Sequence, residues 1–203
     1  MTINLGPGSR PNWIAIRGDP VDMTSLGVRS VTRPLLGAAL LVVLASCYAD
    51  LDWREVRDRD GSFRVLLPAR ANEQSGPLSG VAGSPVMHLW SARASNTLFG
   101  AGYLDVRPGD RVALTDLRDA LVLNIGGRIV SDRSVRSSSL QGVEFIAEGS
   151  MGNGMAILHA RLLVSDNRIY QLAVLGPQGA VTTTDKETFF ESLWPHAVRP
   201  FSS

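Results

Sequence analysis

Residues 53–203 predict an α+β domain: an antiparallel β-sheet with two helices packed on it. Three observations carry that prediction. Between residues 128 and 175, apolar and polar side chains alternate in four runs separated by Ser-, Gly- and Asn-containing breaks, the pattern of antiparallel strands with one packed face. Two other stretches have helical spacing: 115–125, where Leu117, Ala120, Leu121 and Ile125 share a face, and 185–193, which presents Phe189, Phe190 and Leu193. Strands interrupted by one helix and closed by another imply helices set against a sheet rather than alternating βαβ units.

The elements follow in chain order. Residues 53–57 and 62–67 read as an opening hairpin around Asp58-Arg59-Asp60-Gly61, where Gly61 accommodates a positive φ. Phe63, Val65 and Leu67 fall on one face, and Pro68 ends the strand. Asp58 and Asp60 resemble the start of a calcium loop, but the other ligands and the closing glutamate are missing, so a plain turn is expected. Residues 69–85 are rich in Gly, Ser and Pro and predict a surface loop. Strands at 86–94 and 97–106 flank Ser95-Asn96, and Pro108-Gly109-Asp110 breaks the sheet. The helix at 115–125 takes Thr115 as N-cap, Asp116 and Asp119 near its first turn, and Gly126-Gly127 as C-cap.

A four-stranded meander comes next, at 128–135, 140–148, 155–164 and 168–175, with breaks at 137–139, 149–154 and 165–167. In its third strand Ala156, Leu158, Ala160, Leu162 and Val164 share the packed face, which leaves His159 and Arg161 on the other. Gly176-Pro177 ends the sheet, Thr184 and Glu187 form a capping box for the last helix, and Pro195 stops it.

Several of these residues resemble the PsbP-like fold. They are Trp53, Asp60-Gly61-x-Phe63-x-Val65, Leu67-Pro68, Tyr103-x-Asp105, Gly142-x-Glu144, Arg161, Arg168-Ile169-Tyr170, Gly176-Pro177 and Phe189-Phe190. The resemblance spans nearly all of residues 53–203. It implies a sandwich of sheet and helices, and a protein-binding or envelope-lipoprotein role rather than an enzymatic one. Its marks are turn glycines, strand aromatics and helix-packing phenylalanines, so no ligand set carries over.

Upstream, Arg29 and Arg33 precede an uncharged apolar run that ends Leu44-Ala45-Ser46-Cys47, with Cys47 the single cysteine. A basic start, a short apolar core and small residues before a cleavage point define a secretory signal peptide. The run is shorter than the roughly 20 apolar residues that span a membrane. Its ending resembles the lipobox of bacterial lipoproteins, which implies that Cys47 carries acyl chains after cleavage. Several chains on one residue give stable attachment, at about 0.8 kcal/mol per buried methylene. Tyr48 stands where an aspartate would favour inner-membrane retention in some lineages, so the resemblance admits the outer membrane or the periplasmic face of the inner one. Met23 gives a signal peptide of ordinary length, and a longer one from Met1 is the alternative. The chain then divides into an upstream extension without regular structure at 1–22, a signal peptide at 23–46, a lipidated tether at 47–52 and one domain at 53–203.

The formal net charge is only +1, with no basic stripe, which argues against nucleic acid as a partner. No Gly-x-Ser-x-Gly elbow, His-Glu-x-x-His helix, P-loop or dinucleotide fingerprint occurs. His88, His159 and His196 are far apart, and each reads as structural or solvated. The strongest polar cluster is Glu144, Glu148, His159 and Arg161 across one hairpin. Carboxylate, imidazole and guanidinium there suit acid–base work or a metal, but opposite charges pair across exposed strands for structural reasons too. Trp53, Trp90, Tyr103 and Trp194 read as core, Trp194 beside Phe190 especially, while an exposed member would mark an interface. The expectation is a non-enzymatic envelope lipoprotein with no cofactor or metal. It is held to membrane lipid through Cys47 and binds an envelope protein or small ligand through its α+β domain. A small hydrolase or metal-dependent enzyme using Glu144 and His159 is the alternative.

Overall fold

The computed structural model describes residues 51–78, 85–106, 112–137, 140–152, 154–165 and 167–195. The signal peptide, Cys47, the Pro108-Gly109-Asp110 break and His196 lie outside the described residues. The described residues form ten strands and two helices: β1 Arg54–Arg57, β2 Phe63–Leu67, β3 Asn72–Pro77, β4 Val86–Ala94, β5 Thr97–Asp105, α1 Leu114–Asn124, β6 Arg128–Ser137, β7 Leu140–Met151, β8 Gly154–Ser165, β9 Arg168–Gly176, α2 Thr183–Glu191 and β10 Trp194–Pro195. Seven strands form one antiparallel sheet in the order β3-β4-β5-β9-β8-β7-β6, and β1-β2-β10 form a second, smaller one. The architecture is sheet-dominated, with two helices.

Both faces of the large sheet are packed. On one face α1 sets Leu117, Leu121 and Ile125 against Phe145, Leu158 and Leu162. On the other, Phe63, Val65 and Leu67 of β2 and Phe189 and Phe190 of α2 close over Trp90, Phe99, Tyr170 and Leu172. The expected single packed face therefore holds only toward the β6 edge. Strand β9 is buried at every position except the half-buried Ala173, because the small sheet and α2 cover the side that alternation alone assigns to solvent. Leu163, on the nominally outer face of β8, is 2% exposed for the same reason.

The opening hairpin forms as expected, with Gly61 at φ 65°. Ser95 and Asn96 both take positive φ, 47° and 60°, which matches the right-handed twist of β4 and β5 across a two-residue loop. Gly142 has a packing reason: a Cβ there would lie 1.8 Å from the Leu162 carbonyl oxygen.

Four expectations need correction. The loop at 69–85 contains β3, an exposed edge strand. It pairs with β4 through its backbone, from Asn72 opposite Ser91 to Pro77 opposite Val86, and so needs no apolar face of its own. Strand β7 runs past Gly149 to Met151 before turning. Helix α1 starts one residue early, with Ala113 rather than Thr115 as N-cap and no side chain capping it. Its C-terminus is as expected: Gly126 N donates to Leu123 O and Gly127 N to Val122 O, a Schellman pairing. Helix α2 starts at Thr183, and the cap is Thr182, whose hydroxyl oxygen accepts from Asp185 N at 3.0 Å. Thr184 lies inside the helix because the extended backbone ends two residues sooner than the Thr184–Glu187 spacing suggests.

Candidate functional site

Cross-strand register decides which polar side chains meet. Strands β7 and β8 pair Glu144 with Arg161, Ile146 with His159 and Glu148 with Ile157. Directly opposed residues share a face, so Glu144, Glu148, His159 and Arg161 all stand on the α2 side of the sheet. There they separate into two groups.

The first group is an ion-pair clamp. Glu144 accepts from Arg161 Nε at 2.9 Å and from Arg133 Nη2 at 2.6 Å. Arg161 Nη1 reaches Glu191 at 2.9 Å and the Phe190 carbonyl at 3.4 Å, and its guanidinium lies 5.1 Å from the Phe190 ring centroid. The clamp thus ties β6, β7 and β8 to the end of α2. Burial alone would raise the Glu144 pKa, but hydrogen bonds from Arg161 and then Arg133 outweigh it and hold the carboxyl below its ordinary value. A carboxylate so committed stays ionised near neutrality and has little basicity to offer.

Glu148 and His159 belong to the second group, which lines an open cleft of about 340 Å³ beside the β9–α2 connection. Its walls include Ile146, Ile157, Val174 and Val181, and Lys186 enters from α2. Glu148 accepts from Arg128 Nη2 at 2.8 Å. Among the described residues the His159 ring has no hydrogen-bond partner. Burial first, and then the charge of Lys186, push its pKa down against a smaller opposing effect of Glu144, so the imidazole is neutral at pH 7. No three His, Cys, Asp or Glu side chains among the described residues converge as a metal-ligand set.

The remaining sequence candidates have structural surroundings. His88 Nδ1 lies 3.0 Å from Ser75 Oγ, and its ring stacks on Tyr103 at 5.1 Å. Trp90 and Tyr103 are buried around Phe63, and Trp53 meets Phe99 edge-on at 6.2 Å. Trp194 departs from the core expectation, since it is 45% exposed. The chain after α2 pairs as β10 with β2, placing Trp194 opposite Arg64, whose guanidinium sits 3.8 Å from the ring centroid. Among the described residues the Asp58 turn is not part of a metal-ligand set. Its carboxylate accepts from the Phe63 amide at 3.1 Å and from the Ser62 hydroxyl.

Sequence reasoning missed a buried hub around Arg168, a residue 5% exposed. Its Nε donates to Asp105 at 2.8 Å and its Nη1 to Ser62 Oγ at 2.8 Å, with Asp58 at 4.0 Å. The guanidinium also lies 3.8 Å from the Tyr103 ring centroid. Burial pushes the Tyr103 phenol up to about 12, with Arg168 opposing and Asp58 and Asp105 reinforcing the shift. The signal lay in the register Asp105 opposite Arg168, but β5 and β9 are distant in sequence and nothing local declares them neighbours.

The class defined so far is a sheet-dominated α+β domain that carries an ion-pair clamp and a partly apolar cleft among its described residues. No family model matches the chain, and no curated protein matches it. Among solved structures it is similar to cyanobacterial PsbP (CyanoP) from Synechocystis. That similarity has 7% identity and a TM-score of 0.48, over 71% of this chain and 92% of the other. It is also similar to a protein from Bacteroides thetaiotaomicron, at 12% identity and a TM-score of 0.43, over 70% of this chain and 48% of the other. No residue role passes from either to this chain.

Proposed function

We propose that the chain is a lipid-anchored, non-enzymatic protein of the cell envelope whose α+β domain binds a small ligand or an envelope protein partner. The observation that carries binding over chemistry is the state of the three charged side chains, Glu144, Glu148 and Arg161. Each is already held in ion pairs, which leaves His159 without a carboxylate or guanidinium free to act beside it. A general base needs a free acceptor within reach of its substrate's proton and a pKa near the working pH, and Glu144 is held away from that range. The cleft, with apolar walls and a few polar groups, has the make-up of a site that orients a ligand. The anchor reading rests on Arg29, Arg33, the apolar run and Cys47, and acyl chains there would keep the domain at a membrane surface outside the cytosol.

Cell fractionation with radiolabelled palmitate tests the anchor. The wild-type chain is expected in the membrane fraction with label, and Cys47→Ser without label and released from membranes. Unchanged labelling and sedimentation of the variant would overturn the reading.

A further inference from the structure

Resting on the binding-module reading, we propose that the cleft beside the β9–α2 connection takes a small monocarboxylate with a short aliphatic tail, its carboxylate held between Lys186 and His159. Charge is the first argument. Lys186 is the one lysine of the chain, and among the described residues no carboxylate lies within ion-pair distance of its ammonium. Three nearby acids are committed elsewhere: the Asp185 carboxylate to the Thr182 hydroxyl, Glu191 to Arg161 and Glu148 to Arg128. An unpaired ammonium beside an imidazole without a hydrogen-bond partner offers two N–H donors to one anionic group.

Charge also selects among ligands. An amine would meet the Lys186 ammonium, and a dianion such as a phosphate monoester would oppose Glu148 with twice the charge of a carboxylate, even with Arg128 beside that residue. One negative charge is the match. The walls supply the second argument, because Ile146, Ile157, Val174 and Val181 line the space away from the cations. At about 340 Å³ the cleft is near the small end of ligand pockets, which run from roughly 300 to 1,000 Å³. A short aliphatic tail fits that volume.

The test uses the full chain, purified in mild detergent, with hexanoate, hexanol and hexylammonium as probes and the His159 ring resonance as readout. The groups facing that ring are Glu144 and Glu148 from β7 and Lys186 from α2. Hexanoate should shift the resonance saturably and raise the pH at which His159 protonates, because a bound carboxylate stabilises the imidazolium. Lys186→Met should weaken hexanoate binding by at least about tenfold, the scale of one charge-assisted hydrogen bond, while leaving the melting temperature unchanged. It should also let His159 of the free protein protonate at higher pH. Hexanol or hexylammonium binding as tightly as hexanoate would overturn the anionic class and keep the binding-module reading. Hexanoate binding unmoved by Lys186→Met, or no shift at His159, would overturn the proposed site. The Cys47→Ser fractionation is blind to Lys186 and reports on the anchor separately.

Discussion

At the residue scale, Arg168 is the side chain with most at stake. It is a buried cation whose hydrogen bonds go to Ser62 of the small sheet's hairpin and to Asp105 of the large sheet. Breaking a buried pair by removing one partner leaves an uncompensated charge, here Asp58, which is 8% exposed. Arg168→Met is therefore expected to cost about 3 kcal/mol or more in urea unfolding. The double variant with Asp58→Asn should recover part of that loss, and an additive double variant would refute the coupling. Tyr103, stacked under the same guanidinium, supplies a pH test. Its folded pKa of about 12 exceeds the ordinary 10.0, so above pH 10 the folded state binds more protons than the unfolded one. Its contribution is complete below pH 10 and is lost as pH rises toward about 12. Stability measured across that window should fall, with a shallower slope in Tyr103→Phe.

At the element scale, the helix ends carry the sharpest consequences. The N-cap of α1, Ala113, has extended geometry (φ −89°, ψ 143°) but no side-chain acceptor for the amides above it. Ala113→Asp supplies that acceptor and a negative charge at the positive end of the helix. Thermal unfolding should show a gain of about 0.5–2 kcal/mol. No gain would mean that the first turn is already satisfied in another way. Helix α2 shows the converse: Thr182 already caps it, so Thr182→Ala should cost about 1 kcal/mol. The edge strand β3 follows a different rule. Its side chains are mostly exposed, and Pro77 closes it, as suits an edge strand, where a missing N–H costs no ladder bond.

At the scale of the whole molecule, two cores flank one sheet, and the second depends on a hairpin far from the strands it covers. Phe63 is fully buried, stacked on Trp90 at 5.1 Å and on Tyr170 at 6.3 Å. Phe63→Ala should cost about 3–5 kcal/mol, a large share of the roughly 5–15 kcal/mol that holds a domain folded. Chemical unfolding monitored by tryptophan fluorescence checks it, since Trp90 reports on the same core. A loss below about 1 kcal/mol would show that the small sheet packs more loosely than its burial implies. The clamp of Arg161, Glu144 and Glu191 adds a second tie between the large sheet and the α2 side.

The strands of the meander, the β4–β5 hairpin and the existence of both helices could be read from residue order, because alternation, turn chemistry and helical spacing are local properties of the chain. The four polar residues on β7 and β8 were legible for the same reason, since a hairpin's register follows from neighbouring strands. Whether they cluster was not legible. Only the arrival of α2 takes Arg161 into a clamp with Glu191 and brings Lys186 to His159. Strand β3 escaped because an edge strand can pair by backbone alone, without apolar alternation. Trp194 was misassigned because its environment depends on β2, which lies more than a hundred residues earlier. The Arg168 hub was invisible because its register joins strands that are not consecutive. Residue order by itself determined the periodic elements, whereas the cleft, the clamp and the buried charge were decided by long-range packing, which brings together groups that no local pattern links.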